Sequence, residues 1–200
     1  MITQLITDPT IEPVSLEELK LHLKIELDVL DEDEYLEGLE KTARRHLENI
    51  TRRALLTQTW DYFLDGWPAG DFIKLPFGNL QDVPLTQYIK WKDETALSTT
   101  LTVTTDYIWE TNGDRCGRVV LPYSVTWPNG TLYPSNPIVI RFVCGWTTAE
   151  LVPYEIKAAI IRFVSKIYES RGEDILGQTV SEDKVVELLV GSMRLWDHCL

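Results

Sequence analysis

The sequence predicts an α+β fold, with N- and C-terminal helices packed as a small helical bundle and an antiparallel β lobe inserted between them. Three observations predict it. An apolar stripe with steps of three and four marks residues 33–53, period-two alternation marks short segments between 56 and 145, and helical periodicity returns after Gly145. The expected organisation is a helical body of 1–55 and 146–200, with 56–145 as the β lobe. A chain of 200 residues has room for one domain or two small ones.

The chain opens on an extended lead, 1–13, in which Pro9 and Pro13 disfavour an early helix. Ser15 then caps a short helix, with Glu18 placed to complete a capping box and Val14 placed to staple onto Leu19. Leu16, Leu19 and Leu23 share one face of it. An acidic stretch, 26–34, leads into a second helix over 33–53, whose stripe is Leu36, Leu39, Ala43, Leu47, Ile50 and Ala54. Glu37–Lys41, Glu40–Arg44 and Glu48–Arg52 are i,i+4 pairs of favourable orientation. Gly38 inside this helix suggests a close helix crossing.

From residue 56 the period is two. Trp60, Tyr62 and Leu64 alternate with Thr59, Asp61 and Phe63, and further strands are expected over 72–75, 85–91, 101–104, 107–110, 118–121 and 138–143. Turn residues separate them at 66–68, 76–78, 112–114 and 128–130. Pro153 then suits a first helical position, and Ile156, Ile160, Phe163, Val164, Ile167 and Tyr168 form a broad apolar face ending at Arg171-Gly172. Ser181 is placed to cap a last helix through 196, with Val185, Leu189, Met193 and Trp196 on one stripe and Leu188, Val190 and Leu195 widening it.

Charge narrows the partners. The 31 acids against 19 Lys and Arg give a formal net charge of -12 and a pI near 4.7. Residues 1–34 hold ten acids and only two bases. Phosphate-backbone binding needs clustered cations, so direct nucleic-acid affinity is disfavoured. The one basic cluster, Arg44-Arg45 with Arg52-Arg53, reads as a solvated, salt-bridged helix face. Apolar runs are far short of the ~20 residues that span a bilayer, and no secretory signal opens the chain, so no membrane association is expected. Cys116, Cys144 and Cys199 are an odd number without close pairing, and reduced thiols are expected.

No set of residues with catalytic spacing emerges. Gly172 to Thr179 has the glycine spacing of a phosphate loop, but Gln178 stands where Lys is required, and Glu173 and Asp174 would repel phosphate. Asp31 to Glu34 fails the calcium-loop pattern at Tyr35 and Leu36, and reads as acids favouring a helix N-terminus. His22, His46 and His198 have no metal-ligand spacing. Six tryptophans, Trp60, Trp67, Trp91, Trp109, Trp127 and Trp146, fall in or beside the β segment. They read either as core and interface residues or as stacking platforms of a carbohydrate-binding module.

Several segments, taken in order, resemble one family. Pro13-Val-Ser-Leu-Glu-Glu-Leu-Lys20, Ala43-Arg-Arg-His-Leu-Glu48, Thr51 to Trp60, Leu64-Asp-Gly-Trp-Pro68, Ile73-Lys-Leu-Pro76, Gly145-Trp146, Val152 to Ile160 and Tyr168-Glu-Ser-Arg171 are similar to head–tail connector (adaptor) proteins of long-tailed bacteriophages and gene-transfer agents. The family often has Gly where Arg52 stands, and a C-terminal Leu-Leu-x-Pro-x-Arg pattern whose proline is missing after Leu188-Leu189. The resemblance implies a non-enzymatic virion protein made in the host cytoplasm, without cofactor. It would form a ring, usually of twelve copies, beneath the portal at the head–tail junction. Its partners would be the portal protein, a tail-proximal connector or tail terminator, and further copies of itself, with DNA only passing through the channel. An acidic wall suits such passage. The candidate portal or subunit interface is Met193, Leu195 and Trp196. The candidate helical core is Leu36, Leu39, Leu47, Ile50, Ile160, Phe163 and Ile167.

Overall fold

A computed structural model describes residues 2–83, 85–170 and 184–195. Among them are four α-helices and two antiparallel sheets, so the chain is α+β. Two compact units emerge, one from Thr10–Leu56 with Trp146–Arg194, the other chiefly from Met1–Pro9 with Thr57–Gly145. Residues 2–9 thus belong with the sheets and not with the helices.

In the helical unit, α1 (Leu16–Leu23) starts at the expected capping box: Ser15 Oγ accepts from Glu18 N–H at 3.1 Å, and Glu18 accepts from Ser15 N–H at 2.9 Å. Two orphan donors of the helix end are thereby satisfied. α2 (Asp33–Thr51) ends with Arg52 in the left-handed region, φ 58°. That is a conformation glycine adopts without strain, which accounts for glycine at this position in the resembling family. α3 (Tyr154–Glu169) follows Pro153, which stands one residue before the first helical position, and α4 is Lys184–Gly191.

One apolar cluster fills this unit. Leu19, Leu36, Ala43, Leu47, Leu55, Ile156, Ile160, Val164 and Val190 are fully buried in it. Gly38 meets no neighbour within 4 Å of a Cβ position, so it marks no close helix crossing. The α4 stripe is shifted by one residue from the expectation. Val186 and Val190 are buried, with Leu189 and Met193 packed partly against the cluster, whereas Val185 is exposed.

The sheet unit holds a five-stranded sheet and a three-stranded one. The first has the order β1 (Ile2–Thr7), β2 (Gln58–Leu64), β8 (Ile138–Cys144), β4 (Tyr88–Lys92), β5 (Ser98–Thr100). The second is β3 (Phe72–Gly78), β7 (Cys116–Val120), β6 (Ile108–Glu110). The supposed lead is therefore an edge strand, paired from Ile2↔Phe63 to Thr7↔Thr59. The strand expected at 101–104 lies earlier, at β5, where Thr100 pairs Lys90. β3 runs through Pro76, at a register irregularity between Lys74 and Gly78; an edge strand tolerates the missing donor there.

Side chains alternate across β2 and β8. Tyr62, Leu64, Ile138, Ile140 and Phe142 are buried on one face, while Asp61, Phe63, Val139 and Arg141 share the other. Trp67 and Trp127 stack at 4.9 Å and 7°, and Trp127 Nε1 donates to the Gly70 carbonyl at 2.9 Å. Cys116 is disulfide-bonded, which departs from the expectation of three reduced thiols; Cys144 is buried.

Candidate functional site

Three polar constructions stand out, two in the helical unit and one on the larger sheet. The first lies beside α2. Arg44, only 2% exposed, donates from Nε to Glu12 at 2.7 Å and from Nη1 to Glu48 at 3.2 Å. Glu48 in turn accepts Leu55 N–H at 3.0 Å, and Glu40 accepts Val14 N–H at 3.2 Å. Burial, then the nearby Glu12 carboxylate, pushes Glu40 up to about 8, against a partial offset from the Val14 hydrogen bond and Arg44. A carboxyl held protonated near neutrality is a frequent active-site signature. Here the group is spent on the backbone of α1's approach, and the cluster joins three chain segments. Its role is structural.

The basic cluster is accordingly not a solvated helix face. Arg44 is buried in this network, and buried Arg53 donates from Nε to the Met193 carbonyl at 2.6 Å. Only Arg45 and Arg52 are exposed.

The second construction is a clamp. Lys20, 3% exposed at the end of α1, donates to the carbonyls of Val29 at 2.7 Å and Leu27 at 3.4 Å and pairs with Asp33 at 2.5 Å. Two hydrogen-bonded turns, Val29 N–H to Glu26 O and Asp33 N–H to Leu30 O, shape the loop between α1 and α2. The Leu27 and Val29 carbonyls face the lysine, and the loop's side chains are exposed. Residues 26–31 are all exposed, with Leu27 at 60% and Leu30 at 68%. The acids at 26–34 thus do more than favour a helix terminus: Asp33 secures the base of a presented loop.

The third construction is a groove of about 240 Å³ on the polar face of the five-stranded sheet. Asp61, Phe63, Tyr88, Lys90, Lys92, Ser98, Pro137 and Val139 line it. The register places Tyr88 opposite Arg141 and Lys90 opposite Val139. Arg141 grips Asp61 with Nε and Nη2, both at 2.7 Å, and stacks over Tyr88 at 5.1 Å. Lys90 lies 4.3 Å from the Tyr88 ring centroid, and Lys92 lies 5.9 Å from that of Tyr133. Three cations against one carboxylate make this face positive on a chain of net charge -12. Sequence reading missed it, because strands far apart in the sequence build it.

Of the expected core residues, Leu36, Leu39, Leu47 and Ile160 are buried, and Ile50, Phe163 and Ile167 pack partly against the same cluster. His46 stacks on Phe163 at 4.9 Å. Of the expected interface residues, Met193 packs partly against the helical core and Leu195 is half-buried. Trp196 lies outside the described residues, as do the 172–179 segment, Ser181 and His198-Cys199. No group of three or more metal-binding side chains is found among the described residues. No helix there is long and apolar enough to cross a membrane. Of the described tryptophans, Trp127 is buried and Trp60, Trp67, Trp91, Trp109 and Trp146 are half-buried.

No family model and no curated protein matches the chain. Among solved structures it is similar to a chain in the neck of an empty gene transfer agent particle, computed with C6 symmetry. The TM-score is 0.77 at 20% identity, over 98% of this chain and 96% of that one. The two share a fold. A chain of the virion of the native gene transfer agent particle matches with a TM-score of 0.74 at 20% identity. One from the native neck computed with C12 symmetry matches at 0.74 and 18% identity. Both cover the same 98% and 96%. The neck-chain fold therefore takes in both units, including the edge strand β1 and helix α4. It agrees with the connector resemblance carried by the sequence segments.

Proposed function

We propose that the chain is a head–tail connector, a structural virion protein that forms a ring beneath the portal, prolongs the DNA channel and offers the tail a docking surface. The observation that carries this is the fold shared with gene transfer agent neck chains over 98% of the sequence. The helical unit forms the ring body, with 57–145 inserted as the β lobe. The C6 and C12 symmetries of those necks support a ring of about that size, and twelve copies is the number proposed. Its contacts are the portal protein above, a tail-proximal connector or tail terminator below, and neighbouring copies at the sides. A net charge of -12 per copy supports passage of DNA without phosphate contacts that would hold it.

The C-terminal segment is the proposed portal or subunit contact, through Met193, Leu195 and Trp196. Exposed Leu188, 81% accessible on α4, adds an apolar group on the side away from the helical core. Removing residues 181–200 tests it. A truncated chain that folds but no longer joins portal-bearing heads supports the contact; one that folds and still joins them removes it.

The function itself is tested by imaging particles made with and without this chain. Tailless heads in its absence, and a labelled copy at the head–tail junction in its presence, are expected. Complete tailed particles lacking the chain would overturn the reading.

A further inference from the structure

We infer that the clamped 26–31 loop of one copy seats in the cationic groove of the next copy, and that this is the repeating contact of the ring. The inference rests on the connector reading and adds the contact that closes it. A head-to-tail ring needs two different patches on each chain, one complementary to the other. This chain carries such a pair, one on each unit.

Phe63, Pro137 and Val139 supply the apolar part of the groove's lining, with Lys90 and Lys92 beside them. At about 240 Å³ it falls below the ~300–1,000 Å³ of most small-molecule sites. It suits a side chain borne by another chain. Among the described residues, Lys90 and Lys92 lie over aromatic rings and pair with no carboxylate, which leaves their ammonium charge available to one. Arg141 differs, because Asp61 already satisfies it.

The loop supplies the complement. Glu26-Leu27-Asp28-Val29-Leu30-Asp31 mixes three carboxylates with three aliphatic side chains, and every residue of it is exposed. Leu27 and Leu30, 60% and 68% exposed, give the loop an apolar surface beside its carboxylates. Lys20 holds that loop's backbone from within, so little ordering entropy remains to be lost on contact. Leu27 or Leu30 fills the apolar part of the groove while Asp28 and Asp31 meet Lys90 and Lys92. The occupant is a second copy of this chain because charge and apolar pattern match together; a phosphate backbone would match the lysines and leave the leucines uncovered.

Charge reversal tests it. Lys90→Glu with Lys92→Glu gives a groove that repels the native loop, and Asp28→Lys with Asp31→Lys gives a loop that repels the native groove. Each double variant alone is expected to lose at least tenfold in self-association at physiological salt and to drop out of portal-bearing heads. Mixed together, the two restore both complementary contacts and are expected to reassemble. Circular dichroism controls for folding, and Lys92→Glu alone, at an exposed position, replaces the first variant if that one does not fold. Either of two results overturns the inference while leaving the ring intact: a groove variant that assembles like the wild type, or a mixture that stays apart. Loss of duplex DNA retention with unchanged assembly would assign the groove to phosphate and overturn it equally. A wild-type chain that enters heads only as single copies would overturn the ring reading as well.

Discussion

Asp61 receives both Nε and Nη2 of Arg141 at 2.7 Å, across the register that joins β2 to β8 at the centre of the larger sheet. Asp61 is nearly buried, and Arg141 keeps 27% of its side chain exposed. Breaking a buried pair by removing one partner costs about 3–5 kcal/mol, because the other charge is left unpaired. Solvent access to the arginine reduces that figure. Asp61→Ala is expected to lose about 2 kcal/mol by urea denaturation, and an unchanged midpoint would show the pair contributes nothing to stability.

Glu40 makes stability depend on pH in an uncommon direction. Its folded value of about 8 stands above the ordinary 4.5, so the native state holds the proton more tightly than the unfolded chain. The contribution is fully present below pH ~4.5 and is lost as pH rises through about 8. Glu40→Gln keeps an acceptor for Val14 N–H without the charge. Its melting temperature is expected to exceed the wild type's at pH 8.5 and to match it near pH 4.5. Parallel melting curves across that range would refute the assignment.

Gly117 leaves no room for a side chain. A Cβ there would stand 2.5 Å from Leu80 Cβ, close to the backbone and unable to swing aside. Overpacking of this kind costs about 1–3 kcal/mol. Gly117→Ala is expected to lower stability by about that amount, read as a lower midpoint of urea denaturation. A variant as stable as wild type would mean that β7 shifts freely.

Assembly should respond to salt in two opposed ways. Copies of charge -12 repel at long range, and this repulsion is screened beyond about 8 Å at physiological ionic strength. Contact pairs between Lys90 or Lys92 and a carboxylate are shorter-range and less screened. Free protein is therefore expected to stay monomeric at low salt and to associate more readily at physiological salt. Light scattering that shows a stable ring at low salt would contradict the charge argument.

The helical half was legible because its signals are local. The Ser15–Glu18 box spans four residues, and the α2 stripe repeats within nineteen. The polar network was not legible, since the guanidinium of Arg44 finds Glu12 thirty-two residues earlier and that of Arg53 finds a carbonyl 140 residues later. Charged residues without visible partners read as solvated. β1 was missed because Pro9 and Pro13 mark its neighbourhood as loop, although Ile2, Gln4 and Ile6 alternate with Thr3, Leu5 and Thr7. β5 has only Ser98, Thr99 and Thr100, all exposed, so no apolar period announces it. The α4 phase was read one residue off, because five apolar positions among six, 185–186 and 188–190, fit either face.

The helical core is assembled from both ends of the chain, with α1 and α2 on one side and α3 and α4 on the other. During synthesis at about 5–20 residues per second, the stripe of Leu36, Ala43 and Leu47 emerges roughly 5–20 seconds before Ile156 and Ile160 can cover it. Throughout that interval the nascent chain shows an unmet apolar face to the ribosome's surroundings. Chains cut short inside 57–145 never meet it at all. Such fragments become targets for chaperones and proteases, so only copies translated at least through α3 reach the pool from which particles are built.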